Sequence, residues 1–271
     1  MAGADDKKAR FRALHGGATP FLMPNPFDAG TARFLAAMGF PALATSSAGF
    51  AWTLGLPDGG VPCEAAIAHG GSLAQAVDIP VSADLERGFG DSPEDAARTV
   101  REAAAAGLAG CSIEDFSGDP SRGIYDFSLA VERVGAAAQA ARALPHDFVV
   151  TARAEAMLHA PDLGEAIRRL QAFGEAGADV LFAPGLSRME DVRAVCQAVD
   201  KPVSVLAAAH WRLPELAEAG VKRISTGPRL SQSAFTAVEQ AAREMLDEGV
   251  FSFAGAAVPF GRIDGSFKPD R

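Results

Sequence analysis

Pro80-Val81-Ser82-Ala83-Asp84-Leu85-Glu86-Arg87-Gly88-Phe89-Gly90 runs apolar, turns acidic and then breaks on glycine. The next segment opens with Ser92-Pro93-Glu94-Asp95, which offers a serine cap, a proline in the first turn and acids at the positive end of a helix. An alanine-rich run carries that helix to Ala106-Gly107, where glycine is the expected terminator. Gly110-Cys111-Ser112-Ile113-Glu114-Asp115 then repeats the apolar-to-acidic pattern. Strand, helix and strand in this order form one unit of a parallel sheet. Read as part of a strand, Asp84 and Glu86 are two residues apart and point to the same side. Carboxylates that share one side repel each other and are costly to hold near a core. A hard divalent cation relieves both penalties, and an all-oxygen donor set favours Mg²⁺ or Mn²⁺.

The same unit recurs outward in both directions. Short apolar runs fall at residues 21–24, 42–46, 80–84, 110–114, 148–152, 178–182, 202–206 and 223–226. Stretches with helical periodicity separate them, among them 92–106, 128–143, 162–176 and 188–199. Eight rounds of strand and helix predict a (β/α)₈ barrel of the TIM type. The 271 residues suit one such domain, and a C-terminal helical extension follows the last strand. No interdomain linker, low-complexity segment or exact repeat interrupts it.

Composition narrows the functional classes. Hydrophobic residues make up 48% of the chain, enough for a large core. A net charge of −9 argues against general nucleic-acid binding, which needs a basic surface. Cys63, Cys111 and Cys196 are far apart and odd in number, so a disulfide framework is not expected. Residues 1–15 are charged and lack the apolar core of a signal peptide, and no apolar stretch reaches membrane-spanning length. A cytoplasmic protein is the expectation.

Barrel enzymes place their chemistry at the C-terminal ends of the strands. Here those ends carry Asn25, Ser46 and Ser47, Asp84 and Glu86, Glu114 and Asp115, Arg153 and Glu155, Ser204 and Thr226. The topology would gather them around one mouth. Each also has a plainer reading. The acids could be surface residues that follow short strands. Arg153 could simply pair with Glu155, or be oriented by it for a substrate. Asp115 faces away from Glu114 on an extended strand and reads as a loop cap. No GxSxG elbow surrounds Ser46 and Ser47, so a serine nucleophile is discounted. His210 reads as a surface residue with general-acid chemistry as the sharper alternative, and Tyr125, the one tyrosine, as a packing residue with proton donation as the sharper alternative.

At these positions the chain resembles the isocitrate lyase/phosphoenolpyruvate mutase superfamily. Six segments carry the likeness in order: Pro24-Asn25-Pro26-Phe27-Asp28, Ser46-Ser47-Ala48-Gly49, Leu54-Gly55-Leu56-Pro57-Asp58-Gly59, Asp84 to Gly90, Ile113-Glu114-Asp115, and Thr151-Ala152-Arg153-Ala154-Glu155. The resemblance implies a metal-dependent enzyme that handles small 2-oxo carboxylates through an enolate-like state. It implies Asp84 as the direct ligand of Mg²⁺ or Mn²⁺, with Glu86 and Glu114 holding metal-bound waters. It implies Arg153 on the substrate carboxylate or enolate oxygen, and Ser46 with the N–H groups of Ser47, Ala48 and Gly49 as a carboxylate cradle. Asp58 would lie in a gating loop, and Ser204 would stand where many relatives have asparagine. A homo-oligomer, dimer or tetramer, with a swapped eighth helix is also implied.

The departures from the pattern bear on the reaction. Isocitrate and methylisocitrate lyases carry a Lys-Lys-Cys-Gly-His loop, and phosphonopyruvate-processing members a lysine- and asparagine-bearing one. Residues 116–126 here contain no cysteine, lysine or histidine, and Arg122 is their only cation. The expectation is therefore a Mg²⁺-dependent lyase that cleaves a C–C bond in a small 2-oxo or 2-hydroxy di- or tricarboxylate, as an oxaloacetate decarboxylase or a substituted-malate lyase would. P–C chemistry on phosphonopyruvate and non-catalytic binding of a 2-oxo acid are the alternatives.

Overall fold

The computed structural model describes residues 4–268. Eight parallel strands form one sheet: β1 (Phe21–Met23), β2 (Leu43–Ala44), β3 (Val81–Asp84), β4 (Gly110–Glu114), β5 (Val149–Arg153), β6 (Val180–Phe182), β7 (Val203–Leu206) and β8 (Arg223–Ser225). They follow the order β1-β8-β7-β6-β5-β4-β3-β2. The remaining seam, between β1 and β2, is joined where the Ala44 N–H donates to the Pro24 carbonyl at 3.1 Å. The result is the expected (β/α)₈ barrel, with every strand overlapping a run read from the sequence.

The helices begin and end where local chemistry placed them. Ser92 caps Pro93–Ala105 through its hydroxyl, which accepts the Asp95 N–H, while the Asp95 carboxylate accepts the Ser92 N–H. Helix Leu163–Ala176 ends on Gly177, whose φ of 113° is open to glycine at little cost. Two large apolar clusters fill the space between strands and surrounding helices. A third seals the base of the barrel, where Phe11 of helix Ala4–His15 packs on Phe21, Met23, Val149 and Val180. Among the described residues, no helix is long and apolar enough to cross a membrane.

The segment after β8 behaves differently. Helix Arg229–Arg243 runs into a π-helical turn, Glu244–Glu248, and two short helices, Phe253–Ala256 and Phe260–Gly265. Almost all of it is exposed, large apolar side chains included.

Candidate active site

A cavity of about 460 Å³ opens at the C-terminal ends of the strands. Asp84, the last residue of β3, lines it. Its Oδ2 accepts hydrogen bonds from the Ser47 hydroxyl (3.0 Å) and N–H (3.3 Å), and its Oδ1 from the Ser112 hydroxyl (3.3 Å). Arg153, the last residue of β5, stands in register beside Glu114 at the end of β4. The Arg153 Nη1 lies 3.3 Å from Glu114 Oε2 and 3.6 Å from Asp84 Oδ1, and its Nε donates to Glu155. Parallel pairing of β3, β4 and β5 thus brings residues 84, 114 and 153, distant in sequence, to one mouth.

The electrostatics follow from this crowding. Burial works against the charge of Arg153, but Glu114, Glu155 and Asp84 outweigh it and hold the guanidinium protonated far above its usual range. Burial and neighbouring acids push the Glu114 carboxyl well up, against the pull of Arg153. Glu86 is pushed up to about 7, first by burial and then by Asp84 and Asp58.

These residues fit a hard divalent cation. Among the described residues, no three His, Cys, Asp or Glu side chains form a ready ligand cluster. Mg²⁺, however, commonly uses one or two carboxylates and keeps several waters. Asp84, Glu86, Glu114 and Glu155 outnumber the single guanidinium of Arg153, and the raised carboxyls of Glu86, Glu114 and Glu155 mark a surplus of negative charge that a cation would relieve.

Several sequence expectations need correction. Glu86 is not on the strand. β3 ends at Asp84, Leu85 turns into the core, and Glu86 takes a left-handed φ of 49°. It comes near Asp84 through this tight turn, in which its N–H approaches Asp84 Oδ1 at 3.4 Å, and not through strand alternation. Ser204 does not line the cavity: it is fully buried, and its hydroxyl accepts a bond from the Arg223 Nε. Gly49 is also set back. Its N–H donates to Ser46 Oγ and so caps helix Ser47–Thr53, while the Ser47 N–H is turned to Asp84. Ser46, Ser47, Ala48 and Asp58 do line the cavity, Asp58 from the exposed loop at its rim.

Of the remaining singled-out residues Asn25 also lines the cavity, and Asp115, Arg122, Tyr125 and His210 fall outside it. Asp115 is buried; it accepts the Glu155 N–H at 2.8 Å and pairs with Arg169 at 2.9 Å. Asn25 binds the backbone of Thr45, Thr226 and Gly227 and fastens three strand ends. Arg122 pairs with Asp91, the Tyr125 hydroxyl donates to the same carboxylate, and His210 meets the Ser187 carbonyl. Sequence reasoning missed Arg223, which lines the cavity from the start of β8. Its signal was available: a charge at the first position of the strand run Arg223-Ile224-Ser225-Thr226.

Comparison with known proteins adds family context. The model of the phosphoenolpyruvate phosphomutase family matches residues 11–246. A protein of Corynebacterium glutamicum described as a probable 2-methylisocitrate lyase is 32% identical over 264 residues, which cover 92% of this chain and 84% of that one. A crystal structure from Burkholderia cenocepacia J2315, described provisionally as a lyase/mutase, shares 47% identity with a TM-score of 0.95 and covers 98% of this chain and 97% of its own. The crystal structure of a 2,3-dimethylmalate lyase superposes with a TM-score of 0.84 at 27% identity, over 97% of this chain and 94% of that one.

Proposed function

The chain belongs to the phosphoenolpyruvate phosphomutase family, within the isocitrate lyase/phosphoenolpyruvate mutase superfamily, and on that premise we propose a Mg²⁺- or Mn²⁺-dependent lyase. Its substrate is a small 2-oxo or 2-hydroxy di- or tricarboxylate, and the bond broken is a C–C bond. Oxaloacetate is the simplest case, with a substituted malate next. The observation that carries this reading is the guanidinium of Arg153 set among Asp84, Glu114 and Glu155 at the mouth of the cavity.

Asp84 would hold the cation, and Glu86 and Glu114 would hold its waters. When bound, the cation supplies Lewis-acid polarisation of the 2-oxo group. Arg153 binds the adjacent carboxylate and faces the oxygen that gains charge as the bond breaks. Glu155, held beneath it, fixes the plane of the guanidinium. Ser46, Ser47 and Ala48 line the wall of the same cavity and orient the acid. For oxaloacetate the electron pair of the broken bond passes into an enolate, carbon dioxide leaves, and water returns the proton to give pyruvate. Asp58, on the rim loop, limits entry of solvent. This chemistry needs no acid from residues 116–126, whose one cation, Arg122, is engaged by Asp91. The 2,3-dimethylmalate lyase among the relatives gives precedent for cleavage of a substituted malate. We further propose a homo-oligomer that works in the cytoplasm.

A second reading, P–C chemistry on phosphonopyruvate, is favoured by the family model that matches the chain. Turnover of oxaloacetate, substituted malates, methylisocitrate and phosphonopyruvate, followed with and without chelator, separates the two. The lyase reading expects chelator-sensitive C–C cleavage, and a loss of roughly 100-fold or more in Asp84→Ala. Full activity in that variant sinks the proposal, and consumption of phosphonopyruvate alone transfers it to the second reading.

A further inference from the structure

Arg223 is buried, with 4% of its surface exposed, and lines the cavity. Its partners are all neutral. The Nε donates to Ser204 Oγ at 2.9 Å, and Nη1 to Thr151 Oγ1 at 3.0 Å and to His15 Nε2 at 3.3 Å. The His15 Nδ1 lies 2.8 Å from the Phe11 carbonyl. A carbonyl only accepts, so Nδ1 carries the ring proton and Nε2 offers its lone pair to the guanidinium. Burial, with the charge of Arg223 behind it, pushes His15 down to about 3 and keeps the ring neutral. Burial alone pushes Arg223 down, to about 9, which leaves it cationic at neutral pH. By contrast Arg153, at the mouth, faces three carboxylates. A buried charge is ordinarily paired, because removing it from water is costly. Arg223 is solvated by hydroxyls and a ring nitrogen, and its positive charge remains uncompensated.

The space above it is open for a structural reason. Barrels of this type ordinarily stack bulky branched side chains in the interior. Here Ala44, Ser82, Ser112 and Ser225 line the cavity, and these short residues let it run down into the barrel. Thr151, which Arg223 touches, lies two residues before Arg153 on β5. At about 3.3 Å per residue this step is roughly 7 Å, the reach of a short diacid.

We propose that Arg223 is the floor of the substrate cavity, an anion site that receives the distal carboxylate of a short dicarboxylate whose 2-oxo or 2-hydroxy end lies at Asp84 and Arg153. This rests on the lyase reading above and narrows it: the preferred substrate is a diacid that enters lengthwise, not a monocarboxylate.

Two matched pairs of probes test it, 2-oxoglutarate with 2-oxopentanoate and malate with 2-hydroxybutanoate. Members of a pair differ in the distal carboxylate. Affinities are measured by calorimetry in Mg²⁺. The wild type should bind at least one diacid tenfold or more tighter than its partner. Arg223→Gln should erase that preference and leave the monoacids as they were. Ser225→Val fills the shaft without touching a partner of the guanidinium; it should also erase the preference, and it stands in if Arg223→Gln does not fold. Absence of discrimination in the wild type, equal weakening of both members in Arg223→Gln, or undiminished diacid preference in Ser225→Val overturns the inference. Failure of the lyase reading looks different: binding of every acid would then be indifferent to chelator and to Asp84→Ala.

Discussion

Glu86 sits in the left-handed region of backbone space, where residues other than glycine are strained, beside a second acid. Its carboxyl is raised from 4.5 to about 7, by burial first and Asp84 next. In the metal-free protein the folded state therefore binds more protons than the unfolded state between these values. The stability this contributes is complete below pH 4.5 and lost as the pH rises through about 7. The full shift corresponds to a ceiling of about 3 kcal/mol, and solvent screening at a partly exposed group brings the expected effect nearer 1 kcal/mol. Thermal unfolding in chelator should thus show the wild type losing stability relative to Glu86→Gln across that window. Parallel curves for the two proteins would refute the assignment. Saturating Mg²⁺ should favour the wild type above pH 7, where Glu86 is ionised and able to hold the cation's waters.

The turn that carries Glu86 is braced by the helix Phe127–Arg142. Arg133, fully buried, donates to the carbonyls of Gly90 (2.8 Å), Ser92 (3.1 Å) and Arg87, and lies under the ring of Tyr125 at 4.5 Å. Tyr125 in turn donates to Asp91 at 2.6 Å. One guanidinium thus gathers the backbone between Glu86 and the next helix. Arg133→Leu would take the donor from the carbonyls of half-buried Gly90 and Arg87, while Ser92 keeps its helical N–H bonds, at a cost of roughly 3 kcal/mol. The expected result is a lower Tm together with a raised Mg²⁺ requirement, and an unchanged Mg²⁺ dependence would limit Arg133 to a purely structural role. Ser92→Ala makes the contrast: losing the cap should cost about 1 kcal/mol with kcat intact. The cap was legible in Ser92-Pro93-Glu94-Asp95 because all its partners are local. Arg133 was not, since an arginine in an alanine-rich helix looks the same whether it faces solvent or a neighbouring turn.

On the scale of the whole molecule, the chain after β8 is the part without a core. Leu246 is 84% and Phe260 83% exposed, and Phe235, Val238 and Phe251 are exposed as well. Large apolar side chains exposed in such number along one segment mark an interaction surface. It supports the proposed oligomer, in which helix Arg229–Arg243 and its extension pack on a second copy. Sedimentation of the double variant Leu246→Asp/Phe260→Asp should give a smaller species than the wild type. A wild type that sediments as a monomer would refute the oligomer.

The amino-acid sequence by itself determined the eight strands, the helix boundaries and the order of the acids along the chain. Strand runs, caps and terminal glycines are written in residues a few positions apart, and parallel β/α units close into a barrel by handedness and length. It also placed Asp84, Glu114 and Arg153 at strand ends, from which the topology carries them to one mouth. The tertiary structure alone decided how each polar side chain is used. Ser204 faces Arg223 because β7 and β8 are in register there, Gly49 spends its N–H on a helix cap, and Glu86 reaches Asp84 through a strained turn. Arg223 gained its place beneath an open shaft only when short residues from four other strand positions met inside the barrel. Local patterns specify elements because their partners are near in sequence, whereas a cavity is defined by what several distant strands leave unfilled.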